Sequence, residues 1–102
     1  MNNKESSAPR QANDNSIFIG GKPFMNYVTG VIMQFNKGEK EVIVKARGKF
    51  ISKGVDVAEV ARRKFLDEQV SIKNTTIGSE EFENKEGKLV NVSIIEITLH
   101  KH

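Results

Sequence analysis

The segment KARGKFISKGVD, residues 45–56, places Lys45, Arg47, Lys49 and Lys53 within nine positions, with Gly48 and Gly54 between them and apolar sequence on both sides. Cations at that density suit the neutralisation of a polyanion such as a phosphodiester backbone. A second basic site lies in IGGKP, residues 19–23. Its two glycines allow a close backbone approach, Lys22 supplies charge, and Pro23 marks the first turn of a helix whose free N–H groups favour an anion. Catalytic constellations are missing. The chain has no cysteine, its two histidines, His100 and His102, stand at the C-terminal end, and neither a full phosphate loop nor G-x-G-x-x-G occurs. Glu80, Glu81, Glu83 and Glu86 read as solvated surface rather than as a metal site. The expectation is a protein that is not an enzyme and needs no metal or cofactor.

A net charge of +3 conceals an uneven distribution. Residues 16–66 hold ten basic against four acidic side chains, residues 67–102 hold four against seven, and residues 1–15 are balanced at two each. A cationic middle points to an anionic partner. The 102 residues make one domain with a small core, which oligomerisation would help to complete. No apolar run approaches the roughly 20 residues of a membrane span, and MNNKESSAPR lacks the apolar centre of a signal peptide. These features predict a soluble, cytoplasmic protein with no membrane role.

The elements that must position the cations can be read in order. Residues 1–15 are polar and read as a disordered tail, leaving 16–102 as the domain. SIFIG is a short strand ended by Gly20 and Gly21. Phe24, Tyr27, Val28, Val31, Ile32 and Phe35 recur at spacings of three and four, an amphipathic helix with Pro23 at its first position and Gly38 as its left-handed cap. Gly30 within it predicts a close backbone contact. EVIVKAR, residues 41–47, is a strand with Val42, Val44 and Ala46 on one face and Ile43, Lys45 and Arg47 on the other. A second helix is expected over residues 52–66, its buried stripe formed by Val55, Ala58, Ala61 or Arg62, and Phe65. Residues 69–84 and 88–101 read as two long strands of a hairpin turning at Gly87.

The final strand changes parity. Val90, Val92 and Ile94 are even, whereas Ile95, Ile97 and Leu99 are odd, which predicts a β-bulge at residues 93–95 that bends the outer hairpin away. The fold class is α+β in two layers, with helices on one face of a four-stranded mixed sheet and a long protruding β-hairpin. In such a layout the Lys22 loop and the loop of residues 47–53 should be neighbours at one sheet edge. Gly48 and Gly54 would let the chain turn there without bulk beside a ligand.

The segments IFIGGKPFMNYV, EVIVKARGKFISKGVDVAEVARRKF and VNVSIIEITL resemble the Alba family of archaeal chromatin proteins, over nearly all of residues 16–101. The resemblance implies a βαβαββ fold similar to the C-terminal domain of translation initiation factor 3. It also implies a homodimer, chromosome-associated, that binds double-stranded DNA without sequence preference and often RNA as well. On that basis Lys22, Arg47, Lys49 and Lys53 would contact nucleic acid with Tyr27 close by. The paired hairpins, carrying Lys85 and Lys88 here, would reach along the minor groove, and Phe65 would join neighbouring dimers on DNA. Plain core packing is the other reading of Tyr27 and Phe65. Two departures stand out: the first of the two lysines that many members carry before the proline is Gly21 here, and the arm is acidic. The alternatives are an RNA-binding protein of an RNA-processing or translation-linked complex, and a protein scaffold acting through the acidic hairpin.

Overall fold

The computed structural model describes residues 15–102, so residues 1–14 of the expected tail lie outside the described residues. Its elements run β1 (Ser16–Phe18), α1 (Phe24–Asn36), β2 (Glu41–Arg47), a 3-10 turn (Gly48–Phe50), α2 (Ile51–Val60), a π-helical turn (Ala61–Phe65), β3 (Val70–Glu83) and β4 (Leu89–Lys101). The sheet order is β1-β2-β4-β3, with β1 parallel to β2 and the other neighbours antiparallel. Both helices cover one face.

Strand alternation decides which residues they cover. Val42, Val44 and Ala46 of β2 are buried, while Lys45 and Arg47 stand on the open face. Val28, Val31 and Phe35 of α1, Val57 and Ala58 of α2, and Ile97 and Leu99 of β4 complete the core. Burying each of its larger side chains contributes roughly 1.5–3 kcal/mol. Pro23 is the N-cap of α1 rather than its first helical residue. Gly38, at a φ of 106°, ends the helix as expected, and its N–H donates to the Phe35 carbonyl at 3.0 Å.

Helix α2 departs from its expected phase. Val55 and Phe65 are exposed, and the inward stripe is Gly54, Val57, Ala58 and Ala61. Gly54 explains the rotation, because a Cβ placed there would lie 2.9 Å from the Ala46 Cβ. The helix thus meets β2 through its smallest residue, and Gly54 serves packing rather than a turn beside a ligand. The π-helical turn then shifts the phase once more. Leu66 N–H bonds the Ala61 carbonyl five residues back, and Leu66 enters the core in place of Phe65.

The bulge is also elsewhere. Pairing between β3 and β4 is continuous through residues 93–95, and the register slips at Lys73, between Ile72 and Asn74 of β3. No bulge is needed in β4 because the two apolar sets serve two faces. Ile95, Ile97 and Leu99 lie under the helices, whereas Ile94 and Val92 lie on the open face. Five further pairs, from Ser79 with Ser93 to Glu83 with Leu89, carry the hairpin past the end of β2. That arm extends about 17 Å at 3.4 Å per residue.

Candidate nucleic-acid interface

Because β1 and β2 are parallel, both end at one edge of the sheet, and the Ile19 N–H still reaches the Lys45 carbonyl at 2.9 Å. The loop after β1 and the turn after β2 are therefore neighbours. Lys53, near the start of α2, joins them: its Nζ donates to the carbonyls of Gly20 and Lys22, each at 2.7 Å. Tyr27 braces the same loop through its hydroxyl, which accepts the N–H groups of Gly20 at 2.9 Å and Lys22 at 3.1 Å. The Lys53 ammonium also sits 5.1 Å from the centre of the Tyr27 ring, within cation–π range. One phenol and one ammonium thus fix both the donors and the acceptors of the IGGKP loop.

That geometry separates the expected site residues by task. Lys22, Arg47 and Lys49 are exposed on the two loops. Gly48, at a φ of 57°, supplies the left-handed step between Arg47 and Lys49. Tyr27 and Lys53 are half-buried and face the loop backbone. Lys85 and Lys88 are exposed at the arm's tip, where the Asn84 side chain accepts the N–H groups of Glu86 at 2.9 Å and Lys88 at 3.0 Å. Phe65 is half exposed at the end of the π-helical turn, outside the core. Nearby, Arg62 clasps Glu59 through two hydrogen bonds of 2.9 Å, which hold the Glu59 carboxyl below the usual carboxylate range.

On the open face the cations meet acids that the sequence pattern did not pair with them. Arg47 Nη2 lies 3.1 Å from Glu80 Oε1, and its guanidinium stands 5.9 Å from the Phe82 ring centre. Lys45 Nζ lies 3.8 Å from Glu96 and 5.4 Å from the Phe18 ring centre. A shallow groove of about 360 Å³ runs between these groups, lined in part by Phe18, Lys45, Arg47, Glu80 and Glu96. The acidic arm was visible in the sequence, but which glutamate faces Arg47 depends on strand register.

Comparison with known proteins places this arrangement. The profile of the Alba family matches residues 15–79. The chain is 51% identical over 88 residues to the DNA/RNA-binding protein Alba of Methanocella arvoryzae, covering 86% of this chain and 91% of that one. It is 50% identical over 88 residues to DNA/RNA-binding protein Alba 1 of Archaeoglobus fulgidus, covering 86% and 97%. Among solved structures, Alba from Thermoplasma volcanium superposes with a TM-score of 0.79 at 47% identity, over 85% of this chain and 100% of that one.

Proposed function

The chain belongs to the Alba family, and on that footing we propose that it is a sequence-independent architectural protein that binds double-stranded DNA as a homodimer. One observation carries the reading: two basic loops meet at a single sheet edge, and Lys53 and Tyr27 hold the backbone of one of them in place. Lys22, Arg47 and Lys49 present their charges outward from that edge, a geometry suited to phosphate rather than to base edges. Lys53 shapes the loop and brings its own charge to the same edge. Lys85 and Lys88 extend the contact along the arm. A second copy would give the exposed Ile77, Phe82 and Leu89 of the hairpin an apolar partner. Phe65 joins one dimer to the next along DNA, a role that its exposure supports. The protein acts in the cytoplasm, on the chromosome.

Fluorescence anisotropy with labelled duplexes of unrelated sequence tests this directly. If a dimer neutralises about six phosphates, log K falls with log salt at a slope near −5. Arg47→Ala weakens binding by a similar factor on every sequence, and a loss confined to one sequence contradicts the backbone-contact reading. Phe65→Ala leaves the first dimer's affinity intact and lowers cooperativity on longer DNA; unchanged cooperativity removes its proposed role.

A second reading, single-stranded RNA binding, has its own support. Phe18 and Phe82 are exposed beside Lys45 and Arg47, a pairing of rings and cations that bases can stack upon. Tighter binding to single-stranded RNA than to duplex DNA, lost in Phe18→Ala, would favour it.

A further inference from the structure

The arm turns one acidic side chain back onto the basic edge. β2 ends at Arg47, while β3 and β4 continue as a bare hairpin. Glu80 and Phe82 alternate onto the open face of that hairpin, so both approach the Arg47 guanidinium, the carboxylate at 3.1 Å and the ring at 5.9 Å. Glu81 stands between them on the opposite face. Of the exposed loop cations Lys22, Arg47 and Lys49, Arg47 is the one paired with a carboxylate among the described residues. We propose that Glu80 is an internal competitor for phosphate: its carboxylate holds Arg47 in the free protein and must be displaced before Arg47 can engage a phosphodiester. Glu80 is then the residue of this chain that sets the strength of the Arg47 contact.

Physical chemistry fixes both the size and the salt behaviour of the effect. The two side chains are each about half exposed, at 54% and 52%, so water and ligand reach the pair freely. Exposed pairs of this kind shift an equilibrium by about fivefold or less. Glu80 therefore tunes binding and does not block it. A phosphate wins the exchange because the polyanion also releases its condensed counterions, which one carboxylate does not. Salt weakens the Arg47–Glu80 pair as well as the nucleic-acid contact. The competitor loses strength as binding does, and the wild type's salt dependence is shallower than it would be without Glu80.

The inference rests on the nucleic-acid reading above, and one experiment separates the two. Anisotropy of a labelled DNA duplex is titrated with the full chain as wild type, Glu80→Gln, Glu81→Gln, Arg47→Ala and the Arg47→Ala, Glu80→Gln double variant, each at several salt concentrations. Glu81→Gln removes the same charge from the far face and measures the arm's general field. The expected result is binding up to about fivefold tighter for Glu80→Gln at low salt, a smaller gain for Glu81→Gln, and convergence with the wild type as salt rises. In the Arg47→Ala background the Glu80→Gln gain shrinks to that of Glu81→Gln. Wild-type binding with equal gains from the two glutamine variants, or a Glu80→Gln gain that persists without Arg47, overturns the competitor alone. Absence of binding by every variant overturns the nucleic-acid reading, and this inference with it.

Discussion

The two ends of β3 and β4 are built from one ladder but live in different surroundings. At the base, helices cover the sheet, and Val42, Val44, Ile97 and Leu99 lose nearly all contact with water. On the hairpin's outer strand, every residue of β3 from Ile72 to Glu83 is exposed, both level with β2 and along the arm beyond it. The backbone pairing is continuous across the boundary at Arg47, so hydrogen bonding does not distinguish the regions. Coverage does. A two-stranded hairpin alone is marginally stable in water, so the body must supply the folding free energy and anchor the arm. That division leaves the arm's side chains answerable to a ligand or a second copy rather than to the core, and it leaves an acid there free to turn toward Arg47.

The largest effect expected from breaking this contrast is in the body. Leu99 is fully buried in the core beside Val42, and Leu99→Ala removes its packing without an obvious way for the site to collapse. Urea unfolding should show a loss of about 2–5 kcal/mol. A loss below about 1 kcal/mol would mean that the body is not where stability resides.

Much of that body was legible in the chain. The alternation in EVIVKAR assigned the buried and open faces of β2 correctly, and Gly38 and Gly87 marked a helix end and a hairpin turn at positive φ, 106° and 83°. Periodicity failed where one residue changed the phase. A π-helical turn is invisible to a 3.6-residue repeat, so Phe65 was assigned to the stripe that Leu66 fills. In β4 the change of apolar parity reads as a bulge if one buried face is assumed, whereas the strand carries apolar side chains on both faces. The site divided the same way. Neighbouring basic loops follow from parallel strands, but the hydrogen bonds of Lys53 and Tyr27 to the loop backbone need coordinates, as does the register that aims Glu80 at Arg47.

The next effect in size tests how closely helix and sheet approach. Alanine in a helix is ordinarily more favourable than glycine by about 1 kcal/mol. At Gly54 the new Cβ would meet the Ala46 Cβ at 2.9 Å, and neither atom can rotate away. The helix must lift, and overpacking of this kind costs about 1–3 kcal/mol. Gly54→Ala is therefore expected to destabilise in urea despite its propensity, and a net gain would mean that α2 rides loosely on the sheet.

The smallest effect belongs to the uncovered outer strand just before the arm, and it is informative because it should be small. Ile77 is apolar, paired across the ladder with Ile95, and 77% exposed. In the body, a comparable truncation would forfeit packing on every side. Here Ile77→Thr keeps the β-branched shape that suits a strand and removes mainly surface already in water. Unfolding at a protein concentration low enough to keep copies apart should shift by less than about 0.5 kcal/mol. The proposed homodimer adds a sharper expectation, since a side chain covered by the second copy would make the shift grow with concentration. A loss of about 2 kcal/mol already present at high dilution would instead mean that this stretch of β3 is packed within one chain, and the contrast between covered core and open outer strand would not hold.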